Sequence, residues 1–499
     1  MEPAVDIAGM VRGARPCGAI VASAVVFSSV TFLFFFLPPV LLAYHAAPRR
    51  LRNALLLVAS LLFYAWGAGA FAGGLLLSIL GNYVIGYRLE IDRERGDAGA
   101  AKRLLAIGVV ANLALLAVFK YANFGVDSWN AILAAAGIPP LAWAPILLPI
   151  GISFFTFHAI SYLVDIHRGV ARHLVSPIDF GLYIAFFPQL IAGPIVRFHE
   201  IRDQLVTRHE TVDAASAGLY RFALGLGKKV LIADLVAPIA NAVFGTPVTG
   251  LSAGVSILGV IAYTVQLYFD FSGYSDMALG LALLFGIRLP ENFDRPYASR
   301  SITEFWRRWH MSLSRWFRDY LYIPLGGNRG TQRRTYLNLA IVFLATGLWH
   351  GANWTFVLWG AYHGVLLALE RARGVARGDA APRSWWWQAT TILLVVCGWV
   401  LFRSPTIDYA IGWFASLGRL GGPVPPDVAL AIDPIALAAL AFGCGSVLLP
   451  ASWVTGVRLE RPVSAGIRVL RAGTALVVLP IAIVLVIAGS FSPFLYFQF

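Results

Sequence analysis

Charge is scarce in this chain. Asp, Glu, Lys and Arg make up 13% of its 499 residues, where a soluble domain carries about 25%. Apolar runs of about 20 residues, the length a membrane-spanning helix needs, recur along nearly all of it. That excludes a string of soluble domains and predicts an all-α polytopic membrane protein. Cysteine is equally sparse. Cys17, Cys397 and Cys444 have no metal-ligand spacing, and the last two lie in apolar runs, so neither a disulfide framework nor a zinc site is indicated. The sequence has no Gly-x-Ser-x-Gly elbow, no phosphate-binding glycine loop, no His-Glu-x-x-His and no Cys-x-x-Cys. Serine hydrolysis, nucleotide-driven work and metal catalysis therefore lack their usual residues. Paired carboxylates in an external loop, expected of a glycosyltransferase using a lipid-linked sugar, are also missing.

What is present is aromatic and apolar: 58% of residues are hydrophobic and 13% are Phe, Trp or Tyr, a composition that suits membrane interfaces. The net charge of +13 does not point to nucleic acid, because the basic residues sit in short loops between apolar runs. Candidate spans are 27–45, 54–66, 69–87, 104–120, 144–164, 230–243, 254–286, 336–349, 354–370, 385–403, 434–450 and 472–490. Segment 178–196 is apolar but interrupted by Pro188 and Pro194, and reads as re-entrant, with irregular backbone buried in protein. Loops after 48 and over 88–103, 197–208, 295–334, 371–383 and 458–471 are rich in Lys and Arg, whereas 121–149 and 241–265 contain none. The first set is expected inside the cell and the second outside. Arg12 and Arg15, ahead of the first apolar run, conflict with that orientation. Residues 1–24 are therefore expected to be an extension preceding a single transmembrane domain of 25–499, with Val25 as an alternative start.

Two histidines lie where ionisable groups are expensive. His350 sits in Gly347-Leu348-Trp349-His350-Gly351-Ala352-Asn353-Trp354, between two apolar stretches, and an intramembrane ionisable residue marks a functional site by default. The second lies in the basic stretch 289–335, which holds nine Arg and four acidic residues. There Ser301-Ile302-Thr303-Glu304 reads as a capping box. A helix running from it to about Leu321 would gather Ile302, Trp306, Trp309, His310, Leu313, Trp316 and Phe317 on one face and Arg307, Arg308, Arg315 and Arg318 on the other. This predicts an amphipathic helix in the interface, with His310 on its apolar face. By itself a histidine there is more often structural. His158, inside an apolar run, is expected to be structural too, while Asp276 and His363 are evenly balanced between packing and function.

With these residues in view, the sequence resembles the membrane-bound O-acyltransferase family, and within it the bacterial alginate O-acetylase branch. The resemblance covers 26–499. It is carried by Arg295-Pro296-Tyr297, by Trp306-Arg307-Arg308-Trp309-His310-Met311-Ser312-Leu313-Ser314-Arg315-Trp316, by Arg318-Asp319-Tyr320-Leu321-Tyr322-Ile323-Pro324-Leu325-Gly326-Gly327-Asn328, and by Trp349-His350-Gly351-Ala352-Asn353-Trp354. Phe187-Pro188-Gln189-Leu190-Ile191-Ala192-Gly193-Pro194 and Gly273-Tyr274-Ser275-Asp276-Met277-Ala278 support it, and the family start resembles Val26-Phe27-Ser28-Ser29. One departure is His158, where a glutamine is expected in many relatives.

The resemblance implies about 11–13 transmembrane helices, with re-entrant and interfacial helices, around a central tunnel. It implies a catalytic His350 and a second functional histidine at His310. Removing the proton of a hydroxyl suits a neutral imidazole, so His350 is expected as general base or transient acyl carrier, with His310 holding the donor or stabilising the oxyanion. Asn353, Trp354, Trp349, Asp276 and Arg315 are expected along the tunnel or substrate path. No permanently bound cofactor or metal is implied; an acyl thioester, acetyl-CoA or an acyl carrier, is the donor substrate. The implied partners are the lipid bilayer, periplasmic or extracellular acetyltransferases and an exported polysaccharide, with the bacterial inner membrane as the location. Alginate is the first expected acceptor. Cellulose, peptidoglycan or another glycan, and D-alanylation of teichoic acid, are alternatives, and a proton-coupled transporter is the reading outside the class.

Overall fold

The computed structural model describes residues 26–375, 384–448, 465–489 and 494–495. The expected extension over 1–24 lies outside them. The described residues form helices and connecting loops, with no strand among them. In chain order the α-helices are α1 (Leu37–Ala46), α2 (Arg52–Ala68), α3 (Phe71–Glu94), α4 (Ala98–Ala135), α5 (Ile152–His167), α6 (Pro177–Ala185), α7 (Phe187–Leu190), α8 (Phe198–Val206), α9 (Val212–Gly227) and α10 (Asp234–Gly245). They continue as α11 (Ala253–Leu284), α12 (Ile302–Arg308), α13 (Met311–Phe317), α14 (Gln332–His350), α15 (Trp354–Ala372), α16 (Trp385–Arg403), α17 (Ile407–Ser416), α18 (Pro426–Ala431), α19 (Pro434–Leu448) and α20 (Ala465–Ala488).

Five described helical stretches are long and apolar enough to cross a membrane: 49–68, 98–135, 253–284, 385–403 and 471–488. Other segments expected to span are shorter or interrupted. The 230–243 run, for example, is divided between a π-helical turn (Lys228–Ala233) and α10, which contains Pro238. The protein is a polytopic helical membrane protein. Helix α11 is its centre, buried along most of its length. It lies against α9 through paired glycines. A Cβ on Gly218 would meet the Gly280 carbonyl at 2.7 Å, and one on Gly225 would meet that of Gly273 at 2.5 Å. Seven-residue spacing on both helices thus permits backbone contact, the usual device where lipid supplies no hydrophobic drive between helices. Gly347 of α14 and Gly360 of α15 do the same, each facing the other's backbone so that an added Cβ would meet a carbonyl oxygen at 2.3 Å. That pair fixes the end of α14, where His350 lies.

The segment read as re-entrant is broken as expected. Helix α6 ends at Ala185, α7 is four residues long, and the chain then runs irregularly to Arg197. Residues 180–196 are all buried. Three of their backbone N–H groups find side-chain acceptors. Phe187 donates to Ser60 Oγ, Ile195 to Ser312 Oγ, and Val196 to His158 Nε2 at 3.2 Å. His158 therefore has the structural role expected of it.

The interfacial helix differs from expectation. It is not continuous from Ser301 to Leu321 but breaks at Trp309–His310 into α12 and α13. His310 takes a left-handed backbone, φ 43° and ψ 54°. The burial pattern survives the break: Ile302, Trp306, Trp309, His310, Leu313, Trp316 and Phe317 are all buried. Helical periodicity cannot reveal a single left-handed residue, because the turn redirects the chain while keeping the same side chains inward. Ser301 Oγ accepts from Glu304 N at 3.0 Å as expected. The reciprocal arm of the box goes one residue further, to Arg300 N.

Candidate active site

The last turn of α14 is held by α4. The final four carbonyls of a helix have no partner within it. Here Tyr121 Oη donates to Leu348 O at 2.9 Å, and Lys120 Nζ donates to Trp349 O and, at 3.4 Å, to His350 O. The Lys120 ammonium also lies 5.8 Å from the centre of the Trp349 ring. A cation at a helix C-terminus is favourable, and this one fixes the backbone that carries His350. Lys120 and Tyr121 were not singled out in the sequence. The only signal they gave was a lysine at the very end of a long apolar run.

His350 is 5% exposed and surrounded by rings. Trp349 and Trp359 are each 5.0 Å from it, centre to centre, and Phe402 is 5.1 Å away. Trp349 continues on its other side to His310 at 5.8 Å, and Trp359 continues to His363 at 5.0 Å. The result is a row, His310–Trp349–His350–Trp359–His363, of three buried imidazoles alternating with two indoles. Trp306 closes its far end, 5.1 Å from His363. Trp349 also meets Phe154 and Phe157 of α5 at 5.6 and 5.7 Å.

The structure thus brings together His350, His310 and Trp349, and adds His363, whose two ring nitrogens have no hydrogen-bond partner among the described residues. It separates the other expected residues from that row. Asn353 is the N-cap of α15, accepting from Thr355 N at 3.1 Å and donating to Pro405 O at 3.0 Å. Trp354 is 55% exposed and packs on Phe124. Both were expected along the tunnel; in the structure Asn353 caps the helix that starts after Gly351, and Trp354 beside it is exposed. Asp276 is buried, with one oxygen on Arg221 (2.7 Å) and the other on Lys228 (2.5 Å). Arg221 also holds Glu291 through two 2.6 Å bonds. Arg315 donates to the Glu291 carbonyl at 2.9 Å. This ion-paired cluster supports the loop that leads into Asn292.

Asn292 is the second residue the sequence did not announce. It is 1% exposed, and its Oδ1 lies 3.0 Å from His310 Nδ1. His310 is fully buried, 4.7 Å from the ring of Phe271. A buried neutral imidazole accepts a proton through one nitrogen and donates through the other. Rings packed around it keep water from competing. The row is therefore equipped for proton transfer at a reacting oxygen, with no cluster of metal-ligating groups among the described residues.

The chain matches the model of the membrane-bound O-acyltransferase family over residues 151–401, a span that contains the whole row. It is 51% identical to the probable alginate O-acetylase AlgI of Azotobacter vinelandii over 79% of this chain and 78% of that protein. It is 46% identical to the protein of the same name from Pseudomonas putida, over 95% of this chain and 100% of the relative. A peptidoglycan O-acetyltransferase of Helicobacter pylori is 37% identical over 79% of this chain and 80% of its own length. The helical membrane body and these matches lead to one assignment: the chain is an acyltransferase belonging to the membrane-bound O-acyltransferase family.

Proposed function

We propose that this enzyme transfers acetyl groups from a cytoplasmic thioester donor, acetyl-CoA or an acyl carrier, toward hydroxyls of an exported polysaccharide, and that the polysaccharide is alginate. The observation that carries the reading is the buried row His310–Trp349–His350, built into the part of the chain that matches the family. A thioester carbonyl is a ready acceptor, but a hydroxyl is a poor nucleophile until its proton is removed. In the transfer the hydroxyl oxygen bonds to the acyl carbon, the carbon–sulfur bond breaks, and the hydroxyl proton ends on the thiol. Of the two imidazoles that flank Trp349, one takes the proton and the other faces the charge that develops on the carbonyl oxygen. Similarity to relatives named for alginate O-acetylation, across most of the chain, supports the acceptor.

In this reading the Arg-rich α12–α13 region, and with it the donor entrance, lies on the cytoplasmic side of a bacterial inner membrane, an orientation that the basic loops support. In this reading Arg315, whose guanidinium donates to the Glu291 carbonyl, meets the anionic donor there. Acyl groups are activated inside and the polymer is modified outside, so a route through the protein lets the acyl group cross while its carrier stays. Periplasmic acetyltransferase partners then finish the transfer. His350→Ala in a producing strain tests this. The variant protein should remain in the membrane at normal level while ester-linked acetyl disappears from the secreted alginate. Unchanged acetylation by a strain whose only source of this activity is the variant sinks the proposal. Loss of acetyl from peptidoglycan with alginate unaffected would move the acceptor and leave the reaction.

A further inference from the structure

Lys228, Lys229 and Lys120 all donate to partners inside the helical body, but only the first two meet carboxylates. Lys228 bonds Asp276, and Lys229 bonds Asp234 and Asp270. Lys120 of α4 meets neutral oxygens alone among the described residues. They are the Trp349 carbonyl, the His350 carbonyl at 3.4 Å and Ser153 Oγ of α5 at 3.5 Å. An ammonium brings three donors and no acceptor, and these three oxygens take all of them. A charge withdrawn from water needs compensation. Here it comes from the C-terminal end of α14, where the aligned peptide dipoles amount to about half a negative charge. Half a charge does not cancel a whole one. A net positive potential therefore remains at the turn that carries His350.

The next residue of α4 separates anchoring from charge. Tyr121 Oη holds the same turn through Leu348 O at 2.9 Å, and it does so without a charge. If the end of α14 needed only to be tied down, a second neutral donor would serve. The other groups around His350 leave Lys120 as the local cation. Trp349 and Trp359 pack on the imidazole from α14 and α15, and Phe402 from α16. The titratable groups that face it are His310, beyond Trp349, and His363, beyond Trp359. Arg403 follows Phe402 on α16, but its guanidinium donates to Asn241 Oδ1 at 2.8 Å and lies over the ring of Tyr263.

We infer that Lys120 is a positioning residue for acyl transfer: it grips the end of α14 by two carbonyl oxygens, and its positive charge keeps the His350 imidazole free of a second proton and ready to act as the base. The inference rests on the acyl-transfer reading above and deepens it, because it names a second residue that the base depends on. An imidazolium cannot accept a proton, so a base must be uncharged when the hydroxyl arrives. A neighbouring cation disfavours the imidazolium, and it does so more strongly where water is excluded. The hydroxyl oxygen then bonds to the acyl carbon and the carbon–sulfur bond breaks. The hydroxyl proton passes to His350 and from it to the departing sulfur. Lys120 itself gives up no proton and touches neither substrate. It acts through His350, from a helix that carries none of the imidazoles.

The test uses membrane vesicles carrying the full chain and its native partners, supplied with acetyl-CoA, with thiol release and polymer acetylation followed against pH. Lys120→Met keeps the length of the side chain and removes both charge and donors. Its turnover near neutral pH should fall about 10- to 100-fold, the usual effect of removing an orienting partner, with the KM for acetyl-CoA little changed. A base is lost as pH falls through its pKa, and removing a nearby positive charge raises that pKa. The acid limb of the Lys120→Met profile should therefore move to higher pH, by about one unit. Lys120→Arg keeps the charge and should leave the limb in place. Tyr121→Phe loosens the same turn without touching the charge, and its limb should also stay. If Lys120→Met fails to fold, Lys120→Gln, which keeps an N–H donor for the carbonyls, carries the same limb test. With His350→Ala inactive, wild-type turnover in Lys120→Met, an acid limb that does not move in the uncharged variants, or an equal movement in Tyr121→Phe overturns the role of Lys120. Full transfer by His350→Ala instead overturns the proposed function itself.

Discussion

Two buried polar regions stand side by side in this protein and are built on opposite rules. Around Asp276 every charge is matched. Arg221 and Lys228 take its two oxygens, and Arg221 also holds Glu291. The neighbouring Lys229 pairs with Asp234 and Asp270 at 2.7 and 2.8 Å. Around the histidines the lining is aromatic and under-bonded: His310 Nε2 and both nitrogens of His363 lack partners among the described residues. A buried charge must be paired or it is prohibitively expensive. A buried neutral imidazole costs less to leave open, and an open nitrogen is what proton transfer requires. The difference separates a cluster that holds the architecture from a row where we place the chemistry.

That contrast can be broken experimentally. The largest effect should come from His350→Ala: acetyl transfer falls by about 10²- to 10⁴-fold, while the thermal midpoint of the detergent-solubilised protein moves little. Asp276→Ala should show the opposite pattern. Leaving Arg221 and Lys228 without their carboxylate costs about 3–5 kcal/mol, read as a lowered midpoint and less protein in the membrane, with near-normal turnover by the molecules that remain folded. A stable but inactive Asp276→Ala would erase the distinction and put the carboxylate in the reaction. Gly360→Ala comes next. Its Cβ would meet the Phe343 carbonyl at 2.3 Å, forcing α14 and α15 apart. Overpacking of this kind costs about 1–3 kcal/mol, and because His350 rides on α14, turnover should fall together with the midpoint.

The smallest effect concerns pH. In a partly buried cluster away from the histidines, Arg197 bonds Glu200 and Asp319. Burial alone would raise the Glu200 carboxyl, but the hydrogen bond and charge of Arg197 outweigh it and hold that group below its ordinary value. For Asp319, burial is likewise outweighed by Arg318 and Arg197. A depressed carboxylate contributes stability above its unfolded pKa and loses it as pH falls through the folded one. The midpoint should therefore drop below about pH 4, and Arg197→Gln should flatten that drop.

The sequence by itself determined the class, the apolar run that forms α11, and the two histidines as candidates. Hydrophobic runs and scarce charge are sums along the chain, and the aromatic face of 301–317 is a local pattern, so both are legible without coordinates. It also carried the family motifs around His310 and His350. What only the tertiary structure decided is how polar groups far apart in sequence are paired. Lys120 meets the end of α14, 229 residues later, through carbonyl oxygens that every residue type possesses. Asn353 and Trp354 lie beside His350 in the chain yet turn away from the row, because α15 begins at that point and Asn353 must cap it. The left-handed turn at His310 is likewise invisible to periodicity. It exists because the loop through Asn292, 18 residues earlier in the chain, holds it through hydrogen bonds to His310, Met311 and Ser312.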